Sequence, residues 1–328
     1  AVQQSLAQKL MQLPSNSTQL AEPLQVKQKT GITFDYLSAT NEPQWDWSDG
    51  GQEGTPFDNE HIAGINKALS KKLLAAKLPT EISIAEAGQL NYLYSPFNKP
   101  ARGSQIEDFF QKSGKYYLGD LPNLNKSIGG HSYFTTSPYK DASQMRKQLA
   151  STVAKVEGLH YWMTEYCILG DNAGEIEGNG KDLGINAALY VAKVIHNDLV
   201  NGNASAWHWW TSISAYNYKD GLVYIDKNKT DGKYEDSKML WAFGNFSRFV
   251  RPGAQRIEAD LAQEVSEKLS VSAYKDVKRK QTIVVLINHS SEALAINLDG
   301  IKAKKTTVYQ TTENANLQPV KVNKLSNI

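Results

Sequence analysis

Two glutamates in aromatic surroundings are the residues of this chain best suited to chemistry. Glu42 follows an apolar stretch and lies between Asn41 and a proline, with Trp45 just beyond, and Glu165 lies within the apolar sequence LHYWMTEYCIL. A carboxylate in such surroundings needs a partner or a catalytic role. Paired carboxylates beside aromatic rings suit glycoside hydrolysis, in which one acts as acid and base and the other as nucleophile.

The separation of two such carboxylates decides the stereochemistry of hydrolysis. A gap of about 5–5.5 Å retains the anomeric configuration, and a gap of about 6.5–9.5 Å leaves room for water and inverts it. The charge of the nucleophile raises the pKa of the acid, which can then keep its proton near neutral pH. The two titrations belong to the pair and not to one residue.

The chain alternates five short stretches that are apolar on both faces with amphipathic helices, a pattern that predicts parallel βα units. The predicted strands lie within residues 31–47, 81–87, 127–135, 159–169 and 204–214, and the main helices follow Asp58 and cover 141–156, 182–199 and 235–250.

Chemistry-bearing residues fall at the carboxyl ends of these strands, where parallel α/β proteins bind ligands. They are Glu42, Glu86, His131 with Tyr133, Glu165, and the run Trp207–Trp210. Only a fold that brings distant strand ends together pairs Glu42 with Glu165, and a parallel barrel does so. For Glu86 a structural ion pair is the preferred interpretation, and Trp207 and Trp210 suit the core because neighbouring strand residues point to opposite faces.

Local signals set the expected limits of individual elements. The opening strand should bury Ile32, Phe34 and Tyr36 and end at Pro43, which cannot continue a strand ladder. Asp58 should cap the first long helix. Ser104 should form a capping box with the glutamate three residues later.

The sequence pattern changes after Pro252. Strand-like segments separated by turn residues predict a small antiparallel β module over residues 255–328, with strands at 256–260, 270–274, 282–288, 293–298 and 306–310. At the other end, residues 1–30 predict a helical segment in two pieces.

Composition excludes several classes of partner and site. The formal net charge is +2 with no basic run, which argues against nucleic acid. No apolar run approaches about 18–20 residues, so no membrane span is expected, and the first residues do not resemble a signal peptide. Cys167 is the single cysteine, and His61, His196 and His289 show no ligand spacing, so a metal site is not expected. The glycosidase mechanism considered below needs no cofactor.

Five motifs in this order together resemble glycoside hydrolase family 30: NEP at 41–43, HSY at 131–133, TEY at 164–166, WHWW at 207–210 and WAFGNFSRFVRPG at 241–253. The resemblance runs from about residue 31 to the C-terminus. It implies a clan A retaining β-glycosidase with a (β/α)8 TIM barrel, an attached β-sandwich, a carbohydrate substrate and an extracellular or periplasmic location.

The resemblance carries over residue by residue. It implies that Glu42 is the acid/base after the fourth barrel strand and that Glu165 is the nucleophile on the seventh. It also implies that Asn41 hydrogen-bonds the sugar 2-hydroxyl, that Tyr133 hydrogen-bonds the nucleophile, that His131 lines the same site and that Trp209 floors it. Outside this resemblance, Trp45 is a candidate sugar platform, for which loop packing is an equal alternative.

The chain departs from this pattern at its N-terminal side. In the family three βα units precede the NEP strand, whereas here only about 30 residues do. We therefore expect a partial barrel of strands 4–8 over residues 31–254, a helical segment over 1–30, and a β-sandwich over 255–328. A segment outside the chain would complete the barrel and would bring early-strand sugar-binding residues with it.

Three hypotheses of function follow. The preferred one is a retaining, endo-acting hydrolase of a β-linked glycan, with β-1,6-galactanase-like members as the nearest impression. Glucuronoxylan-cleaving members carry basic residues after strand eight, where residues 214–226 offer only Lys219. One alternative is a non-catalytic carbohydrate-binding protein built on an incomplete barrel. The other is a barrel enzyme that abstracts a proton next to a carbonyl. The strand ends offer no lysine or metal partner for that reaction, which counts against it.

Overall fold

The computed structural model describes residues 26–48, 54, 56–228, 230–263, 266, 268–301 and 303–320. Residues 26–30 are helical, and the rest of the predicted N-terminal helical segment lies outside the described residues. The chain divides into two compact units. The first unit comprises Ala1–Tyr166 with Asn201–Trp209, and the second comprises Cys167–Val200 with Trp210–Ile328.

A five-stranded parallel sheet forms the centre of the first unit, which confirms the predicted α/β fold with parallel strands. The strands stand in sequence order and are β1 (Tyr36–Ser38), β2 (Glu81–Ala87), β3 (Leu124–His131), β4 (His160–Glu165) and β5 (Ala204–Trp207). The helices of this unit are α1 (Asn59–Ala75), α2 (Asn91–Tyr94), α3 (Gln105–Phe110) and α4 (Tyr139–Val153).

Helix α1 forms where the apolar periodicity predicts it. The apolar residues at spacings of three and four predict a buried stripe of Ile62, Ile65, Leu69, Leu73 and Leu74. The first four are buried, but Leu74 is 47% exposed, so the prediction is wrong for that residue. The predicted side-chain cap is wrong, because the Asp58 side chain makes no capping hydrogen bond. Its carboxylate accepts a hydrogen bond from Arg102 Nε at 2.9 Å instead.

The predicted capping box at the start of α3 is also wrong. Ser104 precedes the helix but has a left-handed backbone, with φ of +51°, and its side chain caps nothing. An N-cap residue normally has an extended backbone, from which its side-chain oxygen reaches the free N–H groups of the first turn. The left-handed conformation removes that geometry.

The opening strand is shorter and more exposed than its composition predicts. Ile32, Phe34 and Tyr36 are 56%, 42% and 46% exposed, so the prediction that they are buried is wrong. The reason is position: within the described residues β1 pairs only with β2 and therefore stands at one edge of the sheet. An apolar sequence indicates that a strand favours burial, but it does not identify the neighbouring element that buries it.

The sheet curls strongly toward one face. Tyr36 on β1 and Trp162 on β4 are in edge-to-face contact with ring centroids 4.8 Å apart, although two strands lie between them. Four strands of a flat sheet would place β1 and β4 roughly 14 Å apart. The contact therefore requires a concave face, and this curvature also draws the carboxyl ends of the strands together.

Among the described residues, the second unit contains two α-helices and three small sheets. The helices are α5 (Ile185–Val200) and α6 (Lys238–Ser247), and the strands are β6 (Ile213–Ser214), β7 (Val223–Ile225), β8 (Tyr234–Asp236), β9 (Gln255–Ile257), β10 (Leu269–Asp276), β11 (Gln281–Asn288), β12 (Val308–Thr312) and β13 (Ala315–Val320). Among the helices described, none is both long and apolar enough to cross a membrane.

The second unit contains antiparallel strands, as predicted, but some of their predicted positions are wrong. Strands β9, β10 and β11 form one antiparallel sheet, and β12 pairs with β13. Residues 293–298 form no strand, and the partner of β12 is the later segment β13. The sheet of β6, β7 and β8 was not predicted, because strands of two or three residues show no periodicity.

His196 on α5 is a buried histidine without a compensating charge. The side chain is 7% exposed, and its Nδ1 atom has no hydrogen-bond partner among the described residues. Burial lowers the pKa of His196 to about 4, and the nearby positive charges of His289 and Arg256 act in the same direction. The native protein therefore holds this ring neutral.

We predict that His196 makes stability fall in mild acid. The folded-state pKa is below the unfolded value of about 6.5, so the unfolded chain binds a proton first. Its contribution is present above pH 6.5 and is lost as the pH falls toward 4, at a cost of about 3 kcal/mol.

Urea unfolding between pH 7.5 and 4 measures this loss in wild type and in His196→Gln. The stability of the variant should depend less on pH, and His160→Gln, at an exposed position, should behave as wild type. Parallel stability curves for wild type and His196→Gln would contradict the prediction.

Candidate active site

Four ionisable side chains meet at the carboxyl ends of four neighbouring strands. Glu42 lies in the turn after β1, and Glu86 is the second-last residue of β2. His131 is the last residue of β3, and Glu165 is the last residue of β4. Parallel strands carry their carboxyl ends to one edge of a sheet, so residues distant in sequence converge there. The four residues were singled out from sequence, and the structure brings them together.

His131 lies at the centre of this group and is 1% exposed. Its Nδ1 atom is 2.8 Å from Glu42 Oε1 and 3.8 Å from Glu165 Oε1. On the other side of the ring, Nε2 is 3.5 Å from Glu86 Oε2. One buried imidazole therefore faces three carboxylates.

The carboxylates keep His131 protonated. Burial alone lowers the pKa of this imidazole, but hydrogen bonds to Glu42 and Glu86 and the charge of Glu165 outweigh burial and raise the pKa to about 9. At neutral pH the ring is an imidazolium. It supplies the positive charge that lets several carboxylates share a buried site.

The cluster is compact enough to raise the question of a metal. One ligand atom each of Glu42, His131 and Glu165 lie within 4.8 Å of one another. A histidine has to lose its proton before it binds a metal ion. A cation in this cluster would therefore need a neutral His131, whereas the carboxylates around the ring favour its protonated form.

Glu42 is held by the loop that follows it. Its Oε2 atom accepts a hydrogen bond from Trp45 Nε1 at 3.0 Å, and its backbone carbonyl accepts from Trp47 Nε1 at 3.2 Å. Gly88 makes this possible, because a Cβ atom there would lie 2.5 Å from the indole nitrogen of Trp45. Trp45 therefore contacts the candidate acid directly. The same side chain packs the loop and donates a hydrogen bond to Glu42.

Two basic residues hold the same loop from outside, and no sequence pattern indicates them. Arg102 Nη1 donates to the carbonyl of Gln44 at 3.2 Å and to Asp46 Oδ1 at 2.8 Å. Lys99 Nζ donates to the Gln44 carbonyl at 2.7 Å and to Asp46 Oδ2 at 3.2 Å. These hydrogen bonds lower the pKa of Asp46. The residues are distant in sequence, so no local pattern identifies the contact.

Glu165 is oriented by Tyr133, whose hydroxyl donates to Glu165 Oε1 at 3.1 Å. Burial raises the pKa of Glu165, and the neighbouring Glu42 adds to the rise. The imidazolium of His131 and the Tyr133 hydroxyl lower the same pKa, because both stabilise the ionised form. The charge state of Glu165 therefore depends on all of its neighbours.

An aromatic row continues from Tyr133 along the sheet edge. Its ring centroid is 5.8 Å from that of Tyr166, which is 6.2 Å from Trp209, and Trp209 stacks on Trp207 at 6.2 Å. Trp209 lies two residues beyond the end of β5, and its ring packs on that of the last strand residue, Trp207. Trp210 is 54% exposed, so the expectation that it lies in the core is wrong. Asn41 is exposed beside Glu42.

Residues 6–224 match the family model described as O-Glycosyl hydrolase family 30. Glucuronoxylanase XynC of Bacillus subtilis (strain 168) is 33% identical over 134 residues, which are 40% of this chain and 28% of that protein. A second Bacillus subtilis glucuronoxylanase XynC is 31% identical over 167 residues, which are 49% of this chain and 34% of that protein. The chain therefore spans about a third of the length of these curated relatives.

Two solved structures are similar over almost the whole chain. A conserved exported protein from Bacteroides fragilis has a TM-score of 0.85 and 29% identity, and the match covers 98% of this chain and 67% of that one. The catalytic domain of GH30 xylanase C from Talaromyces cellulolyticus has a TM-score of 0.62 and 22% identity, and the match covers 97% of this chain and 61% of that one. The second likeness shows the fold alone.

We predict that Tyr133→Phe raises the pKa of Glu165. The change removes a hydroxyl that donates to the ionised carboxylate and leaves the aromatic ring in place. Carbon-13 NMR of labelled glutamate side chains follows the titration, with Tyr234→Phe, at an exposed position in the second unit, as the control. An unchanged Glu165 titration in a folded Tyr133→Phe variant would show that this hydrogen bond does not influence the carboxylate.

Proposed function

Because the chain belongs to O-glycosyl hydrolase family 30, we propose that it hydrolyses a β-linked polysaccharide with retention of the anomeric configuration. The observation that carries the proposal is the proximity of Glu42 and Glu165. A carboxylate oxygen of Glu42 lies within 4.8 Å of a carboxylate oxygen of Glu165. Two oxygens this close support the retaining class, whose carboxyl groups lie about 5–5.5 Å apart, over the inverting class at about 6.5–9.5 Å.

In the proposed mechanism Glu165 attacks the anomeric carbon while Glu42 protonates the leaving oxygen. Glu42 then takes a proton from water, which releases the glycosyl group from Glu165. Tyr133 orients the nucleophile through its hydroxyl, and Trp45 orients the acid through its indole N–H. We further propose that Asn41 and Trp209 bind the sugar, and that no cofactor takes part.

The assignment of the two roles rests on motifs and not on ionisation. Burial raises the pKa of Glu165, which by itself would suit an acid better than a nucleophile. The resemblance of residues 41–43 to the acid/base motif and of residues 164–166 to the nucleophile motif supports the opposite order. The imidazolium of His131, 3.8 Å from Glu165, favours the ionised form that a nucleophile needs.

For the substrate we propose a neutral β-linked glycan, with β-1,6-galactan first and unsubstituted xylan second. Residues 214–226 contain Lys219 as their one basic residue. Its ammonium group already donates to the backbone carbonyls of Asn179 and Gly180, at 2.8 and 3.1 Å. Recognition of an acidic side group would need a cation that is free to bind it. The curated relatives nevertheless make glucuronoxylan a necessary member of any substrate screen.

We propose that the five parallel strands are strands 4–8 of a (β/α)8 barrel over residues 31–254. The curl that brings Tyr36 to Trp162 supports a closed barrel, because a flat open sheet would not allow this contact. Further strands from outside the chain would close the barrel next to the exposed edge of β1. Residues 255–328 would form a side β-sandwich, residues 1–30 a preceding helical segment, and the protein would be exported, as its Bacteroides fragilis neighbour is named.

We predict that Glu165→Gln and Glu42→Gln each lower kcat/KM at least ~10³-fold, because each removes a group that acts in the transition state. The control is Glu60→Gln, at an exposed position on α1, which should leave activity unchanged. A reducing-sugar assay over β-1,6-galactan, xylan and glucuronoxylan measures the effect, and proton NMR of the first product gives its anomeric configuration.

Azide separates the two roles. It should restore turnover of an activated aryl glycoside to Glu165→Gly by forming an α-glycosyl azide, and to Glu42→Gly by forming a β-glycosyl azide. Full activity of Glu165→Gln, or an inverted first product, would contradict the proposal. Binding of a glycan without cleavage by the wild type would favour the non-catalytic alternative.

A further inference from the structure

Glu86 is a buried carboxylate that the proposed mechanism does not use. It lies near the end of β2, is 8% exposed, and has a left-handed backbone with φ of +50°. Ala85 before it has φ of +83°, and the register between β2 and β3 shifts between Ala85 and Ala87. Such a bulge re-aims a side chain and is over-represented beside active sites. The distorted backbone therefore directs the Glu86 side chain toward Glu42 and Glu165.

The neighbouring strands provide a fitted space for this carboxylate. A Cβ atom at Gly129 would lie 2.7 Å from Glu86 Oε1, so glycine is the residue that leaves room. Ser83 Oγ donates to Glu86 Oε1 at 3.4 Å, and Thr164 Oγ1 donates to Glu86 Oε2 at 2.5 Å. Both oxygens therefore have a defined orientation, and Oε2 faces His131.

The geometry around His131 fixes the hydrogens on its ring. Nδ1 faces Glu42 and Glu165, and Nε2 faces Glu86 at 3.5 Å. An ionised carboxylate only accepts hydrogen bonds, and a neutral imidazole has one nitrogen without a hydrogen. With Glu86 present, a neutral ring would turn a lone pair toward an acceptor on one of its two sides. When Glu42 and Glu86 are both ionised, as when Glu42 serves as the base, both nitrogens have to carry hydrogens to satisfy their neighbours.

We propose that Glu86 is a positioning residue that holds His131 as an imidazolium oriented between Glu42 and Glu165. The catalytic meaning of this inference rests on the proposed function, whereas the geometry does not. The charged groups that face the ring among the described residues are Glu42 after β1, Glu86 on β2 and Glu165 on β4, and the raised pKa of His131 agrees with this arrangement. Glu86 acts through His131 and has no proposed contact with substrate.

Loss of the Glu86 charge should be visible at His131 itself. In Glu86→Gln the ring keeps a polar neighbour of the same shape but loses the negative charge beside Nε2. We expect the titration midpoint of His131 to fall by at least about one pH unit. The alkaline limb of the kcat/KM profile should move down by a similar amount, because deprotonation of the ring removes the cation beside Glu165.

The experiment is nitrogen-15 NMR of the histidine ring across pH 5–10 in wild type, Glu86→Gln and Glu86→Asp. Glu86→Asp keeps the charge and should restore most of the wild-type midpoint. Glu81→Gln, at an exposed position on the same strand, serves as the control and should leave the midpoint unchanged. A purely structural Glu86 would give Glu86→Gln a lower melting temperature with the wild-type His131 midpoint, and that result would overturn the proposal.

A second variant keeps the test decisive if Glu86→Gln does not fold. Thr164→Val removes the hydroxyl that orients Glu86 Oε2 and leaves all charges in place. It should lower the His131 midpoint by a smaller amount, and an unchanged midpoint would overturn the proposal. The titration needs no substrate, so a shifted midpoint without hydrolysis of any glycan would reject only the proposed function. Normal hydrolysis with an unshifted midpoint would reject only the role of Glu86.

Discussion

The burial of three carboxylates around one imidazole is the strictest physical demand on the first unit. A buried charge costs several kcal/mol unless it is paired and hydrogen-bonded, and like charges at close range add to that cost. Each acid accordingly has a donor of its own: Trp45 for Glu42, Thr164 for Glu86 and Tyr133 for Glu165. His131 contacts all three, and its removal would leave the acids with no shared cation.

This arrangement depends on the curvature of the sheet. The strands that carry Glu42 and Glu165 are separated by two others, and their carboxylates nevertheless come within 4.8 Å. Long side chains shorten the gap, but the ring contact between Tyr36 and Trp162 shows that the backbone itself bends. Small residues follow from the same demand, because Gly88 and Gly129 lie where a Cβ atom would displace Trp45 and Glu86.

Much of the site could be predicted from sequence because its residues follow apolar strands. Strand β2 has the predicted limits, and the positions of Glu42, His131 and Glu165 follow once the strands are parallel. The sequence could not show that Ile32 and Phe34 are exposed, because burial depends on a neighbour that may be distant in the chain. It also favoured a structural role for Glu86, since a bulge with two left-handed residues has no signature in the letters AEA.

A buried imidazolium has to keep its charge while the acids around it change theirs. In the proposed mechanism Glu165 loses its negative charge when it is glycosylated and regains it when water releases the sugar. A neighbouring anion stabilises the protonated form of an imidazole, so glycosylation of Glu165 removes part of what holds the proton on His131. In the proposed arrangement Glu86 offsets this loss, because its carboxylate lies on the far side of the ring and takes no part in the chemistry. The ring would then keep its charge and its orientation through both steps.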